Sequence, residues 1–142
     1  MKTRFFTEKD RSDCQRIYLE SRKETFHWMD KSLFSLNDFD RDTDGECIWV
    51  ATINNSPVGF ISVWLADNFV HNLFVLSSNF SQGIGSALLS VSLKKIGRPA
   101  SLKCLLKNMS AREFYLSQGW KIVSHGEGSD GEYQLMQFDK KI

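Results

Sequence analysis

Gly83-Ile84-Gly85 stands where an apolar run changes its period, and that junction constrains the fold more than any other stretch. Upstream, Val70-His71-Asn72-Leu73-Phe74-Val75-Leu76 reads as a strand. Downstream, Ser86-Ala87-Leu88-Leu89-Ser90-Val91 opens an amphipathic helix, and a polar loop at 77–82 joins the two. Glycines at such a junction let the backbone come close to a ligand. The first N–H groups of the helix have no partner within it and lie at the positive end of its dipole. A phosphate or pyrophosphate is the guest this arrangement suits.

Two common nucleotide signatures do not fit. A P-loop requires Gly-x4-Gly-Lys-Ser/Thr, and no lysine follows these glycines. A dinucleotide fingerprint needs a third glycine where Leu88 stands and an acid roughly 20 residues on, where Leu102, Lys103 and Cys104 lie instead.

The rest of the chain supplies one domain. Its 142 residues suffice for a single core and are short for two. Hydrophobic residues at 42% and charged residues at 25% mark a globular chain, and 11 Phe with 4 Trp point to a core of large rings. Residues 3–6 read as a first strand, and Thr7 can cap a helix with Cys14, Ile17 and Tyr18 on one face. The stretch 25–46 is irregular, mixing Phe26, Trp28, Phe34 and Phe39 with the acids Asp38, Asp40, Asp42, Asp44 and Glu46. Strands at 48–53 and 58–65 flank a turn at Asn54-Asn55-Ser56-Pro57 and form a hairpin; Asp67-Asn68 then turns the chain into the strand at 70–76.

The glycine-entered helix runs to about Lys95, buries Ile84, Ala87, Leu88 and Val91, and is ended by Gly97 and Pro99. Because a whole helix intervenes, the strand at 102–106 is expected parallel to the one at 70–76. A short helix at 110–118, stopped by Gly119, precedes a last hairpin of 120–124 and 133–138 around a glycine-rich loop at 126–131. The order β-α-β-β-β-α-β-α-β-β is an α+β design: a mixed, mostly antiparallel central sheet flanked by helices, with one parallel crossover at the anion seat.

Composition excludes several functions. A net charge of +1 with no basic cluster beyond pairs such as Lys94-Lys95 argues against nucleic acid. No apolar run approaches the roughly 20 residues of a membrane helix, and the N-terminal segment lacks a signal-peptide core. Cys14, Cys47 and Cys104 show no CxxC spacing, which favours free thiols in a reducing compartment over disulfides or a metal site. The expected address is the cytoplasm.

Gln82-Gly83-Ile84-Gly85-Ser86-Ala87-Leu88-Leu89 after Leu73-Phe74-Val75 resembles the acyl-CoA motif of the GNAT superfamily of N-acyltransferases. Further on, the run from Asn108 through Ala111 and Tyr115 to Gly119-Trp120 resembles that family's second signature, Asn-x-x-Ala-x-x-x-Tyr-x-x-x-Gly-Phe. The element order also matches the family's fold, and the likeness is weakest at 25–46. One departure stands at Phe80, where the family usually carries Gln or Arg. Backbone N–H groups are the main phosphate ligands, so a weaker site is expected there, not a lost one.

The resemblance implies acetyl-CoA as co-substrate, no metal, and a seat built from Phe74, Val75, Gln82, Gly83, Ile84, Gly85 and Ser86, with Asn108 hydrogen-bonding the pantetheine arm. The implied reaction is direct acetyl transfer to a primary amine of a small molecule or peptide. Attack on a thioester expels a thiolate of pKa about 8–9, and Tyr115 is the phenol placed to protonate it. A base must take the amine's proton. His71, expected on the strand face opposite Asn72 and Phe74, is the first candidate; Glu20 and Glu24, acting through water, are others. Phe26 and Trp28 are candidate walls of the acceptor pocket, and the acids at 38–46 could draw in a cationic amine. A CoA-binding module of the same fold without turnover is the alternative. Phe80 leans toward it, and Tyr115 and Asn108 lean against it. Edge strands of so small a sheet could also pair between two copies, making a homodimer.

Overall fold

In the computed structural model, which describes residues 1–141, the chain runs β1 (Lys2–Phe5), α1 (Arg11–Thr25), α2 (Asp38–Asp42), β2 (Cys47–Ile53), β3 (Ser56–Trp64) and β4 (Phe69–Val75). It continues through α3 (Ile84–Leu93), β5 (Ala100–Leu105), α4 (Met109–Ser117), β6 (Lys121–Gly128) and β7 (Gly131–Phe138). The strands form one sheet in the order β1-β2-β3-β4-β5-β7-β6. Every neighbouring pair is antiparallel except β4 and β5, the two joined through α3. The α+β design and the parallel crossover expected from the sequence are present.

The β2–β3 hairpin closes tightly because Asn54 and Asn55 both take the left-handed conformation, with φ of 52° and 66°. Such a pair matches the right-handed twist of the flanking strands, and asparagine tolerates it at low cost. β3 therefore begins at Ser56, earlier than the expected turn allowed. The C-terminal hairpin is also longer than expected. Gly126 and Gly128 lie inside β6 rather than in a loop, and Gly126 faces Tyr133 across the ladder. A side chain at Gly126 would collide with the Tyr133 ring, so glycine is kept there for close approach, not for turning.

Alternation along β2 and β3 divides the core in two. Trp49, Ala51, Ile61 and Val63 pack against Ile84, Leu88, Leu89 and Leu93 of α3, with Phe114 and Tyr115 of α4 at the border. Val50 and Phe60 pack on the other face against Cys14, Ile17 and Tyr18 of α1 and Phe39 of α2. Phe60 anchors that face, its ring centroid 5.2 Å from Phe39 and 5.9 Å from Tyr18.

The stretch expected to be irregular contains α2, too short to show a helical period. A buried arginine holds it. Arg22 meets Asp38 at 3.0 Å, donates to the Tyr18 carbonyl at 3.1 Å and lies over the Tyr18 and Phe34 rings at 3.8 and 4.6 Å. Three more acids of this stretch are also engaged internally. Asp40 accepts from Arg11 and Gln15, Asp42 from Tyr18 and Arg41, and Glu46 pairs with His71. All four of these carboxylates, Asp38 included, are held by hydrogen bonds within the fold.

Candidate active site

β4 and β5 pair only at Phe69↔Ser101 and Val70↔Leu102. Beyond that point the strands part, while β4 continues to Val75 and β5 to Leu105. A cavity of about 530 Å³ occupies the opening. Its walls come from α1 on one face of the sheet and from α3 and α4 on the other, which is possible because the sheet is split there.

One end of the cavity is the glycine turn. Gly83 is the N-cap of α3 with φ +75°, and a Cβ built on it would meet nothing within 4 Å. The open space is where an anion would approach the N–H groups of the first turn. Gly85 serves packing instead, since a Cβ there would lie 3.1 Å from the Phe114 ring. Ser81, Ile84 and Ser86 complete this end, and Phe80, 59% exposed, lines it as well. Gln82 does not line the cavity; its side chain accepts from Asn79 at 3.5 Å.

Leu73, Phe74 and Val75 form the strand wall, and Asn108, Ala111, Phe114 and Tyr115 form the opposite one. Asn108 caps α4 by accepting from the Ala111 N–H at 3.4 Å, which leaves its amide NH₂ free to donate. Burial pushes the Tyr115 phenol above the usual tyrosine value, so it stays protonated at any ordinary pH. Burial likewise raises all three thiols, Cys104 to about 11 and Cys14 to about 12. No cysteine is poised as a nucleophile.

His71 stands elsewhere. Ser62 and Val63 of β3 face Asn72 and Val70, so His71 is the extra residue of a β-bulge. The bulge breaks the alternation on which the expected orientation of His71 rested: Val70 and Leu73 both join the α3-side core. His71 lies beside Phe69, ring centroids 6.1 Å apart, and does not line the 530 Å³ cavity. Its Nδ1 is 2.8 Å from Oε2 of Glu46, whose side chain is 7% exposed. With a carboxylate accepting, Nδ1 carries the proton and Nε2 keeps its lone pair. The hydrogen bond to Glu46 holds the imidazolium above the usual histidine range, against the opposing effect of burial. Glu20 and Glu24 are exposed, and neither lines the cavity.

Phe26 and Trp28 do not line the cavity that holds Tyr115 either. Phe26 packs its ring on Phe74 at 6.2 Å and on Trp28 at 5.5 Å. Trp28 lines a second cavity of about 300 Å³, shared with Leu105, Lys107, Glu127, Asp130 and Glu132.

A family model described as an acetyltransferase (GNAT) domain matches residues 44–122, more than half of the chain. The chain belongs to the GNAT family. The GNAT fold is also shared with solved structures. The apo form of YjaB from Escherichia coli is 19% identical, with 96% of this chain and 95% of that one covered at a TM-score of 0.79. A ribosomal-protein-alanine N-acetyltransferase from Brucella melitensis is 18% identical, with 99% and 100% covered at a TM-score of 0.73. A Bacillus anthracis protein described as a streptothricin acetyltransferase, solved in complex with acetyl coenzyme A, is 20% identical, with 67% and 62% covered at a TM-score of 0.59. At these identities the likeness is one of fold. No curated protein matches the chain in sequence.

The GNAT match begins after α1, and α1 supplies two of the cavity residues that sequence reasoning missed, Ser21 and Thr25; Asn79, Ser81, Ser110, Phe114 and Gln118 are others. A signal for the α1 pair was present. The buried face of α1, begun by Cys14, Ile17 and Tyr18, continues at helical spacing to these two polar residues.

Proposed function

We propose that this GNAT chain transfers an acetyl group from acetyl-CoA to a primary amine of a small molecule or peptide, directly and without a covalent enzyme intermediate. The observation that carries the reading is a single cavity joining the open glycine turn at α3 to Tyr115 through a split in the sheet. The residues fit the donor. N–H groups of the first turn of α3, with Ser81 and Ser86, would take the pyrophosphate. The unpaired inner edge of β4 beyond Val70 and the free Asn108 amide would take the amides of the pantetheine arm.

In the transfer the amine nitrogen attacks the thioester carbon, the C–N bond forms and the C–S bond breaks. Tyr115 gives its proton to the departing sulfur. The burial that raises the phenol's pKa also disfavours a bare thiolate, so donor and acceptor remain matched. The amine's proton leaves to a base; His71 Nε2, oriented by Glu46 but outside the cavity, is the candidate on β4 and would take the proton through water. The raised thiols are consistent with direct attack on the donor.

Titration calorimetry with CoA tests the donor site, and no binding at millimolar CoA would overturn it. Incubation with acetyl-CoA and a panel of primary amines, followed by free-thiol release, tests turnover. Binding without thiol release across the panel would favour a silent CoA-binding module, the reading to which Phe80 in the phosphate loop lends its weight.

A further inference from the structure

Ser21 is a buried polar group that the transfer chemistry leaves unused. It is 6% exposed, its Oγ is buried, and it makes no hydrogen bond within the protein. A helical serine commonly satisfies itself on the carbonyl one turn back; this one does not. A buried hydroxyl without a partner is unfavourable, so each one in a native fold calls for a reason, and a bound partner is one such reason.

Ser21 and Thr25 are four residues apart on α1, hence on one face, and both line the split-sheet cavity. Tyr18 and Phe26, which flank them along the helix, place their rings 5.3 and 6.2 Å from the Phe74 ring. This strip of α1 therefore lies over the end of β4, where that strand has parted from β5. No Asp, Glu, Lys, Arg or His lines the cavity among the described residues. The wall thus suits a neutral partner for the hydroxyl, and a carbonyl oxygen is the group that accepts from O–H.

We propose that Ser21 is a binding residue for the acyl donor. Turned from its buried position toward the cavity by rotation about χ1, its hydroxyl donates to a carbonyl oxygen of the donor's amide-and-thioester arm where that arm passes between β4 and β5. The inference rests on the reading that this cavity holds CoA.

Ser21→Ala tests it, with titration of CoA and of acetyl-CoA and the ligand-free Tm measured on the same protein. Loss of one neutral hydrogen bond in a buried site predicts affinity about 5–10-fold weaker. The ligand-free Tm should be unchanged or higher, because an unpartnered hydroxyl has been removed. Equal weakening toward both ligands supports an amide carbonyl of the arm, and weakening confined to acetyl-CoA supports the thioester carbonyl. Affinities within twofold of wild type overturn the proposal, as does a lower ligand-free Tm or misfolding, either of which assigns the hydroxyl to the fold. An effect confined to the KM of the amine also overturns it, since Ser21 would then meet the acceptor. Wild-type protein that binds neither ligand overturns the donor reading, and this inference with it.

Discussion

Gly83→Ala separates the backbone role of the glycine turn from its role toward an anion. At φ +75° a non-glycine residue is strained by about 1–2 kcal/mol, while the added methyl meets no neighbour within 4 Å. For a chain of this length the strain alone lowers Tm by roughly 3–8 °C. If the open space is the phosphate seat, the methyl keeps the ligand from charge-assisted hydrogen bonds worth about 1.5–3 kcal/mol, so CoA affinity falls on the order of 10–100-fold. Gly131→Ala is the matched control. Gly131 also has a positive φ, +116°, and open space at its Cβ, yet lies outside the split-sheet cavity. Differential scanning calorimetry reads the strain and titration calorimetry reads the affinity. The two variants should lose similar stability, and only Gly83→Ala should lose CoA. A Gly83→Ala protein that melts lower but binds CoA as wild type does would refute the placement of the pyrophosphate at α3.

Tyr115→Phe keeps the ring and removes the proton; steady-state kinetics should show kcat lower on the order of 10²-fold with CoA affinity unchanged. With His71 as base, kcat/KM should rise with pH through an apparent pKa above the ordinary histidine value, because Glu46 stabilises the protonated form. Glu46→Gln should move that limb to lower pH and His71→Gln should remove it, both read from pH–rate profiles. The same linkage favours the fold below the unfolded-state pKa of His71, an advantage lost as pH rises through the raised folded value. Arg22→Leu strands the buried Asp38 carboxylate and should cost about 3–5 kcal/mol in denaturant unfolding.

Local signals made the frame legible and left the site partly hidden. The glycine junction, the Asn54-Asn55 turn and the strand–helix–strand order each act within a few residues, so the element order, the hairpins and the parallel crossover followed from them. Gly83, Ile84, Gly85, Ser86, Phe74, Val75, Asn108 and Tyr115, named from the two motifs, all line one cavity, while Gln82 does not. The position of His71 was hidden because a bulge depends on how β3 and β4 pair, and the sequence of one strand does not contain that register. The engagement of Asp38, Asp40, Asp42 and Glu46 was hidden for the same reason, since Arg22, Arg11, Tyr18 and His71 reach them from other elements. Ser21 and Thr25 were legible in principle as polar residues at core spacing, a pattern easily taken for the fading end of a helix.

The short ladder between β4 and β5 has a thermodynamic consequence. Hydrogen bonding along the sheet is nearly interrupted at its middle, so β1–β4 and β5–β7 are joined chiefly by the core beneath them. A ligand seated in the gap would touch both halves and be lost when either opens. Occupancy and folding would then be one linked equilibrium: at a hundred times Kd, a ligand bound only by the native state adds about 2.7 kcal/mol. That is a substantial part of the roughly 5–15 kcal/mol that holds a typical domain together. In such a chain the substrate would serve as a missing rung as much as a reactant.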